Sequence, residues 1–126
     1  MIVHPFIAET VILSGTGVVQ GSKEGCVKRP GSNGAGDFIG VFAYDPKKPQ
    51  AASGDGVGIV LSGVVKVRAG EDVTAGKKAV LTTDTSGAFI NLPTAAGTYQ
   101  ICGLFLQSGA EDEYVEMLVE RGSITI

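Results

Sequence analysis

The chain has 126 residues, 19 of them glycine, with 44% hydrophobic and 18% charged residues. That length supports one hydrophobic core without metal or disulfide staples, and abundant glycine with few charges excludes a disordered chain, a helical bundle and a coiled coil. Ten basic against 13 acidic residues give a net charge of −3, which offers no electrostatic footprint for nucleic acid or an anionic membrane.

From the N-terminus, Met1–Thr10 carries no basic start, and Pro5 and Glu9 interrupt its apolar run, so no secretion signal is visible. Val3-His4-Pro5-Phe6-Ile7 reads in two ways. It is either an extended N-terminal arm within residues 1–10 that orders on a neighbour, or a first edge strand or frayed end. On the arm reading Phe6 and Ile7 are the buried anchors, Val3 and His4 share the contact, and removing residues 1–7 leaves the fold intact. Glu9–Ser14 is the first short strand. Gly15-Thr16-Gly17-Val18-Val19-Gln20-Gly21 superficially matches a dinucleotide-binding turn, but Ser22–Gly31 holds Gly25 and Pro30 where a helix is required, so these read as turn glycines. Gly31–Gly36 and Asp45–Gln50 are loops by composition, which makes the N-terminal half loop-rich.

Further strands are predicted at Phe38–Tyr44, Val57–Arg68, Lys78–Thr83, Ala88–Leu92, Tyr99–Gln107 and Tyr114–Arg121, where apolar bursts alternate with turn residues. In Val65-Lys66-Val67-Arg68 the valines share one face of the pleat and the cations the other, so the valines face inward. Ser62-Gly63 breaks the long Val57–Arg68 run where a bulge or barrel corner is tolerated. Asp84-Thr85-Ser86-Gly87 suits a hairpin with Gly87 in the left-handed position. In the last predicted strand Val115, Met117 and Val119 lie on one face. Tyr114, Glu116, Leu118 and Glu120 lie on the other, so Tyr114 and Leu118 are candidates to meet a partner. The whole is a single all-β domain over residues 1–126, its strands at the spacing of a barrel or a sandwich, with no span long enough to cross a membrane.

Little here points to chemistry. His4 is the sole histidine, so no His–His metal pair exists, and a nucleophile–imidazole dyad would depend on a terminal residue. Cys26 and Cys102 form no CxxC motif and read as two reduced, buried thiols, with a bridge between them left open. Glu71, Asp72 and Glu111–Glu113 sit in polar turns without the apolar surroundings that raise a carboxyl pKa. Residues 99–126 carry five carboxylates against one arginine, and Glu111-Asp112-Glu113 reads as a solvated turn or a dock for a basic partner. No catalytic, cofactor or metal site and no small-molecule substrate are expected.

Gly63 through Gly76 also fits the glycine–valine pattern of biotinyl and lipoyl carrier barrels, but the hairpin at Asp84–Gly87 lacks the lysine that such domains modify. A fuller match lies in Leu61-Ser62-Gly63-Val64-Val65-Lys66-Val67-Arg68-Ala69-Gly70, Val73-Thr74-Ala75-Gly76, Asp84-Thr85-Ser86-Gly87-Ala88, Ile101-Cys102-Gly103-Leu104-Phe105-Leu106 and Tyr114-Val115-Glu116-Met117-Leu118-Val119. Their order and spacing over Gly56–Glu120 resemble bacteriophage capsid decoration, or cement, proteins. The resemblance departs at Cys102-Gly103, where Ile-Gly is commoner, and residues before Gly56 match no motif.

The resemblance implies a small β-barrel or β-tulip domain, with its best-matching β core at residues 57–121, that has no enzymatic activity and is made in the host bacterial cytoplasm. It would coat the outer surface of the assembled head, often as a homotrimer, and brace joints between major capsid protein subunits. The competing readings are another virion component, such as a head fibre base or tail component, and a carrier-type barrel.

Overall fold

A computed structural model describes residues 1–126. It contains no α-helix, only a single 3-10 turn at Ser32–Gly34 among eleven strands: β1 Ile2–Ala8, β2 Ile12–Leu13, β3 Thr16–Gln20, β4 Cys26–Lys28, β5 Phe38–Phe42, β6 Gln50–Ala51, β7 Gly56–Arg68, β8 Lys78–Leu81, β9 Phe89–Asn91, β10 Thr98–Phe105 and β11 Tyr114–Thr125. The expected all-β barrel architecture is present, and most strand bounds from Phe38 onward follow the apolar bursts; β6 was not expected at Gln50–Ala51, and β11 runs past the expected end at Arg121 to Thr125.

The organising element is β7. Its first half pairs antiparallel with β1 and β5, and its second half, from Gly63, pairs with β11. The exchange of partners falls at the Ser62-Gly63 break, and Gly63 has φ +119°, a conformation that an L side chain rarely adopts. One sheet, β1-β4-β3-β5-β7, closes on itself because β7 pairs back to β1. The ring is tightest along β1 and β7, whereas β1 meets β4 only at Ile7 and Ala8. The other, β7-β11-β10-β8-β9, is open but curls until Ala69, just beyond β7, meets Phe89 of β9 in a parallel bridge.

The two sheets enclose two cores. Ala8, Ile12, Val18, Val27, Phe42, Val57 and Ile59 fill the closed barrel, with Phe6 packed against them. Phe38, Val65, Val67, Phe89, Phe105, Val115, Met117 and Val119 build the larger second core. Where β5 and β7 pair, Val41 and Val60 belong to the second core, whereas Phe42 and Ile59 belong to the barrel. A wall buried on both sides must be apolar at successive positions, which is why Val57-Gly58-Ile59-Val60-Leu61 shows no hydrophobic–polar alternation. Val65 and Val67 do face inward, as does the Val115-Met117-Val119 row.

Three expectations are corrected. Residues 2–8 are a barrel strand rather than a free arm, because alternation along β1 sends Phe6 and Ala8 toward the barrel core while the backbone bonds to β7. Removing residues 1–7 therefore opens the ring. The N-terminal half carries the loops expected at Gly31–Gly36 and Asp45–Gln50, and alongside them β1, β3, β4 and β5 supply four of the five barrel strands. Gly17 is not a turn glycine: it lies within β3, where a Cβ would come 2.8 Å from both Leu81 Cδ2 and Phe89 Cζ. The strand expected over Glu9–Ser14 shrinks to Ile12–Leu13, which leaves the main sheets to pair with β6. The hairpin at Asp84–Gly87 stands as expected, with Gly87 at φ +81°. Its geometry is fixed by the Asp84 carboxylate, which accepts from the Ser86 hydroxyl at 2.6 Å and the Ser86 N–H at 2.9 Å.

Candidate interaction surface

Reactive groups are dispersed through the structure. His4 lies exposed on β1 with Nδ1 2.8 Å from the Pro5 carbonyl and its ring beside Phe6. No group of three or more His, Cys, Asp or Glu side chains is placed to hold a metal ion. Both cysteines are free, Cys26 half-buried and Cys102 buried. Burial pushes the Cys102 thiol up to about 12, against a small opposing pull from a hydrogen bond to the Leu81 backbone. A thiol held in its protonated form is a poor nucleophile.

The acidic residues have structural roles. Glu113 Oε1 accepts the Ala110 N–H at 2.6 Å, and Asp72 Oδ1 accepts the Glu111 N–H at 3.1 Å. Asp112, in the left-handed region at φ +68°, pairs with Arg68 at 2.6 Å. These carboxylates tie the turn before β11 to the end of β7. Glu9 does similar work beside β1: hydrogen bonds from the Ser22 hydroxyl and backbone N–H hold its carboxyl below the usual range and join the strand's end to the turn after β3.

The exposed apolar residues form a clearer pattern. β11 pairs Tyr114 with Arg68, Glu116 with Lys66 and Leu118 with Val64 of β7, and on its other flank Leu118 opposes Leu104 of β10. Leu106 continues that line, its N–H donating to the Glu116 carbonyl at 2.9 Å. Directly opposed residues share a face, so Val64, Leu104, Leu106 and Leu118 lie together on the side of the sheet away from the second core. Val64 is 43% and Leu106 42% exposed, and Leu118 is half-buried between its neighbours. At one end of this face Tyr114 stacks on Tyr44 with ring centroids 3.8 Å apart. The pair borders an open hollow of about 350 Å³ shared with Leu13, Pro46, Pro49 and Arg68. At the other end Met1 lies against Gly63, next to Val64.

A second apolar strip runs along β1. Val3, Pro5 and Ile7 oppose Val60, Gly58 and Gly56, and the two glycines contribute no side chain to cover them. Val3 is 53% and Ile7 47% exposed. The six residues singled out from the sequence thus separate into two groups. Val3, His4 and Ile7 are exposed on β1, with Phe6 turned partly into the barrel, whereas Tyr114 and Leu118 sit on the sheet face. Val64, Leu104, Leu106 and Tyr44 were not anticipated. Val64 was accessible from the alternation that puts Lys66 and Arg68 outward, and Leu104 and Leu106 from their flanking of the buried Phe105.

Comparison with known proteins gives the surface its context. No curated protein matches the chain in sequence. Among solved structures, the N base of the head fibre protein gp8.5 of bacteriophage phi29 is similar in fold, with a TM-score of 0.64 and 13% identity over 99% of this chain and 98% of that one. The family described as structural cement protein (E217 gp24/Pam3 gp6) matches residues 3–119, which takes in the N-terminal half as well as the motifs after Gly56. With nearly its whole length matched, the chain belongs to the phage structural cement protein family.

Proposed function

We propose that the protein seats on the outer surface of the assembled head and braces joints between major capsid protein subunits, acting there as a homotrimer. The observation that carries this reading is the family match over residues 3–119. The exposed row Val64–Leu118–Leu104–Leu106, with Tyr114 and Tyr44 at its end, supports it as the contact face. Desolvated aromatic anchors such as the tyrosine pair carry much of the free energy of protein interfaces, and the aliphatic row beside them adds buried apolar area. Val3, His4 and Ile7 on β1 add a second contact strip, which Phe6 serves by holding the strand in the barrel. Many modest contacts repeated on a lattice bind firmly through multivalency without a deep pocket at any one of them.

Co-sedimentation with purified heads before and after expansion tests the proposal. Binding to expanded heads, with density over subunit joints in images of the particle, is the expected result. Absence of binding to either form would refute it. A second reading, a base that carries a fibre, is favoured by the fold shared with the phi29 head fibre base. Imaging separates the two, since a base has a shaft rising from it and a brace does not.

A further inference from the structure

Antiparallel strands alternate their backbone groups between neighbours, and β11 does so on either side of one register shift, where Glu120 and Arg121 lie opposite Cys102 of β10. Against β7 the pairs at Val115, Met117 and Val119 carry the hydrogen bonds, which the Ala69 N–H to Glu113 carbonyl bond and the Leu106 N–H to Glu116 carbonyl bond fix in phase. Gly97 and Ile126 exchange both bonds at 2.9 Å, which places Gly122, Ile124 and Ile126 toward β10. The N–H and C=O groups of Arg121, Ser123 and Thr125 therefore point the other way, to the side that β7 occupies only as far as Gly63. Beyond that residue β7 belongs to the barrel, and the place beside β11 is open. None of these three residues has a backbone hydrogen bond outside the ladders, and all three are exposed.

Other edges of the fold are protected. Along β1 the outward-facing positions are Val3, Pro5 and Ile7; Pro5 has no N–H, and the Ile7 N–H is already bonded to the Gly25 carbonyl at 2.9 Å. On the free flank of β10, Gln100 binds the Gly36 carbonyl and the Phe38 N–H, holding the 31–36 loop alongside. The edge strand β9 is only three residues long. The register shift of β11 ends at Arg121, and from Gly122 to Thr125 its edge has no proline, bulge or cover, although folded proteins usually block such edges.

We propose that the Arg121–Thr125 edge of β11 accepts an extended strand from a capsid subunit, which continues the sheet in the place that β7 leaves. The inference rests on the cement reading and names its mode of attachment. Main-chain groups repeating every second residue are recognised by another extended backbone. The flanking Gly122, Ser123, Ile124 and Thr125 are uncharged, so the incoming segment should be small or β-branched there rather than charged. A strand of about five residues spans only ~17 Å and buries well below the ~1,200 Å² of a stable free-standing pair. Self-pairing of two copies through this edge is therefore not sustained in solution, whereas a strand offered at every site of a shell is.

The test uses the full-length protein and purified expanded heads. Amide hydrogen exchange of the free and head-bound protein should show new protection at Arg121, Ser123 and Thr125. Ser123→Pro removes an outward N–H without breaking a bond to β10, and should weaken head binding at least about tenfold while the melting temperature stays unchanged. Ser123→Val retains the N–H and should bind as the wild type does. Thr125→Pro provides an independent block should Ser123→Pro not fold. Equal exchange in the free and bound states, or wild-type affinity of a folded proline variant, would overturn the strand while leaving the cement reading in place. Concentration-dependent protection of these amides in the free protein would assign the edge to a second copy and overturn it likewise. Failure of the wild type to bind heads would remove both.

Discussion

Gly17 offers a direct test of how the two halves of the fold are joined. It has an ordinary strand conformation, so alanine there costs nothing in backbone strain. What opposes it is space: the added methyl would lie 2.8 Å from Leu81 Cδ2, 2.8 Å from Phe89 Cζ and 3.1 Å from Phe38 Cε1. All three belong to the second core, and Phe89 is fully buried. Forcing a methyl into a packed interior costs about 2 kcal/mol. With an unfolding entropy of about 2.1 cal/mol/K per residue, the 126-residue chain should lose about 8 °C in melting temperature.

Gly25 is the matched opposite, with φ +78° and nothing within 4 Å of the point where an alanine methyl would sit. Gly25→Ala should cost only the left-handed backbone penalty, about 1 kcal/mol. Shortening Leu81 to valine relieves part of the clash, so Gly17→Ala/Leu81→Val should be less destabilised than the sum of the single variants by about 1 kcal/mol. Thermal and urea unfolding followed by circular dichroism measure all four variants. A Gly17→Ala protein within about 0.5 kcal/mol of the wild type, or strict additivity with Leu81→Val, would refute the claim that β3 closes directly onto the second core.

Three other outcomes follow from the same structure. Deleting residues 1–7 removes the strand that closes the barrel and should abolish the cooperative melt or lower it by far more than any single core substitution; a truncated protein with the wild-type melt would contradict ring closure. Because folding raises the Cys102 thiol from 9.0 to about 12, the native state holds this proton more tightly than the unfolded chain. Its contribution to stability is complete below pH 9.0 and is lost as the pH rises toward about 12. Cys102→Ala should flatten that alkaline loss in urea titrations, and a thiol reagent should label Cys26 well before Cys102. Leu118→Asp places a charge in the middle of the Val64–Leu104–Leu106 face and should reduce head binding at least about tenfold with under about 1 kcal/mol change in stability, as read by co-sedimentation beside a melt.

The sequence is readable where burial is one-sided. Val65-Lys66-Val67-Arg68 and the Tyr114–Glu120 stretch alternate because one face meets the core and the other water, and both strands lie where that pattern puts them. β3 was opaque for the opposite reason: Val18 and Val19 are buried in different cores, and the neighbouring glycines imitate a turn. Barrel closure depends on β1 meeting β7 far along the chain, and no local pattern encodes such a pairing. The candidate surface shows the same division. Tyr114 and Leu118 were evident from alternation on a single strand, but assembling Val64, Leu118, Leu104 and Leu106 into one row requires the register of three strands. Composition drew attention to Glu111–Glu113, whose geometry instead serves the local turn and the Arg68 pair.

The passage of β7 from one sheet to the other also bears on how the molecule resists being pulled. A hairpin gripped at its open end unzips one bond at a time. Here, drawing the two lobes apart along β7 would slide it against β1 and β5 at one end and against β11 at the other, so whole rows of bonds must shear together. A small domain threaded by such a strand behaves less like a hinge than like a rivet, stiff along the line that joins its two ends.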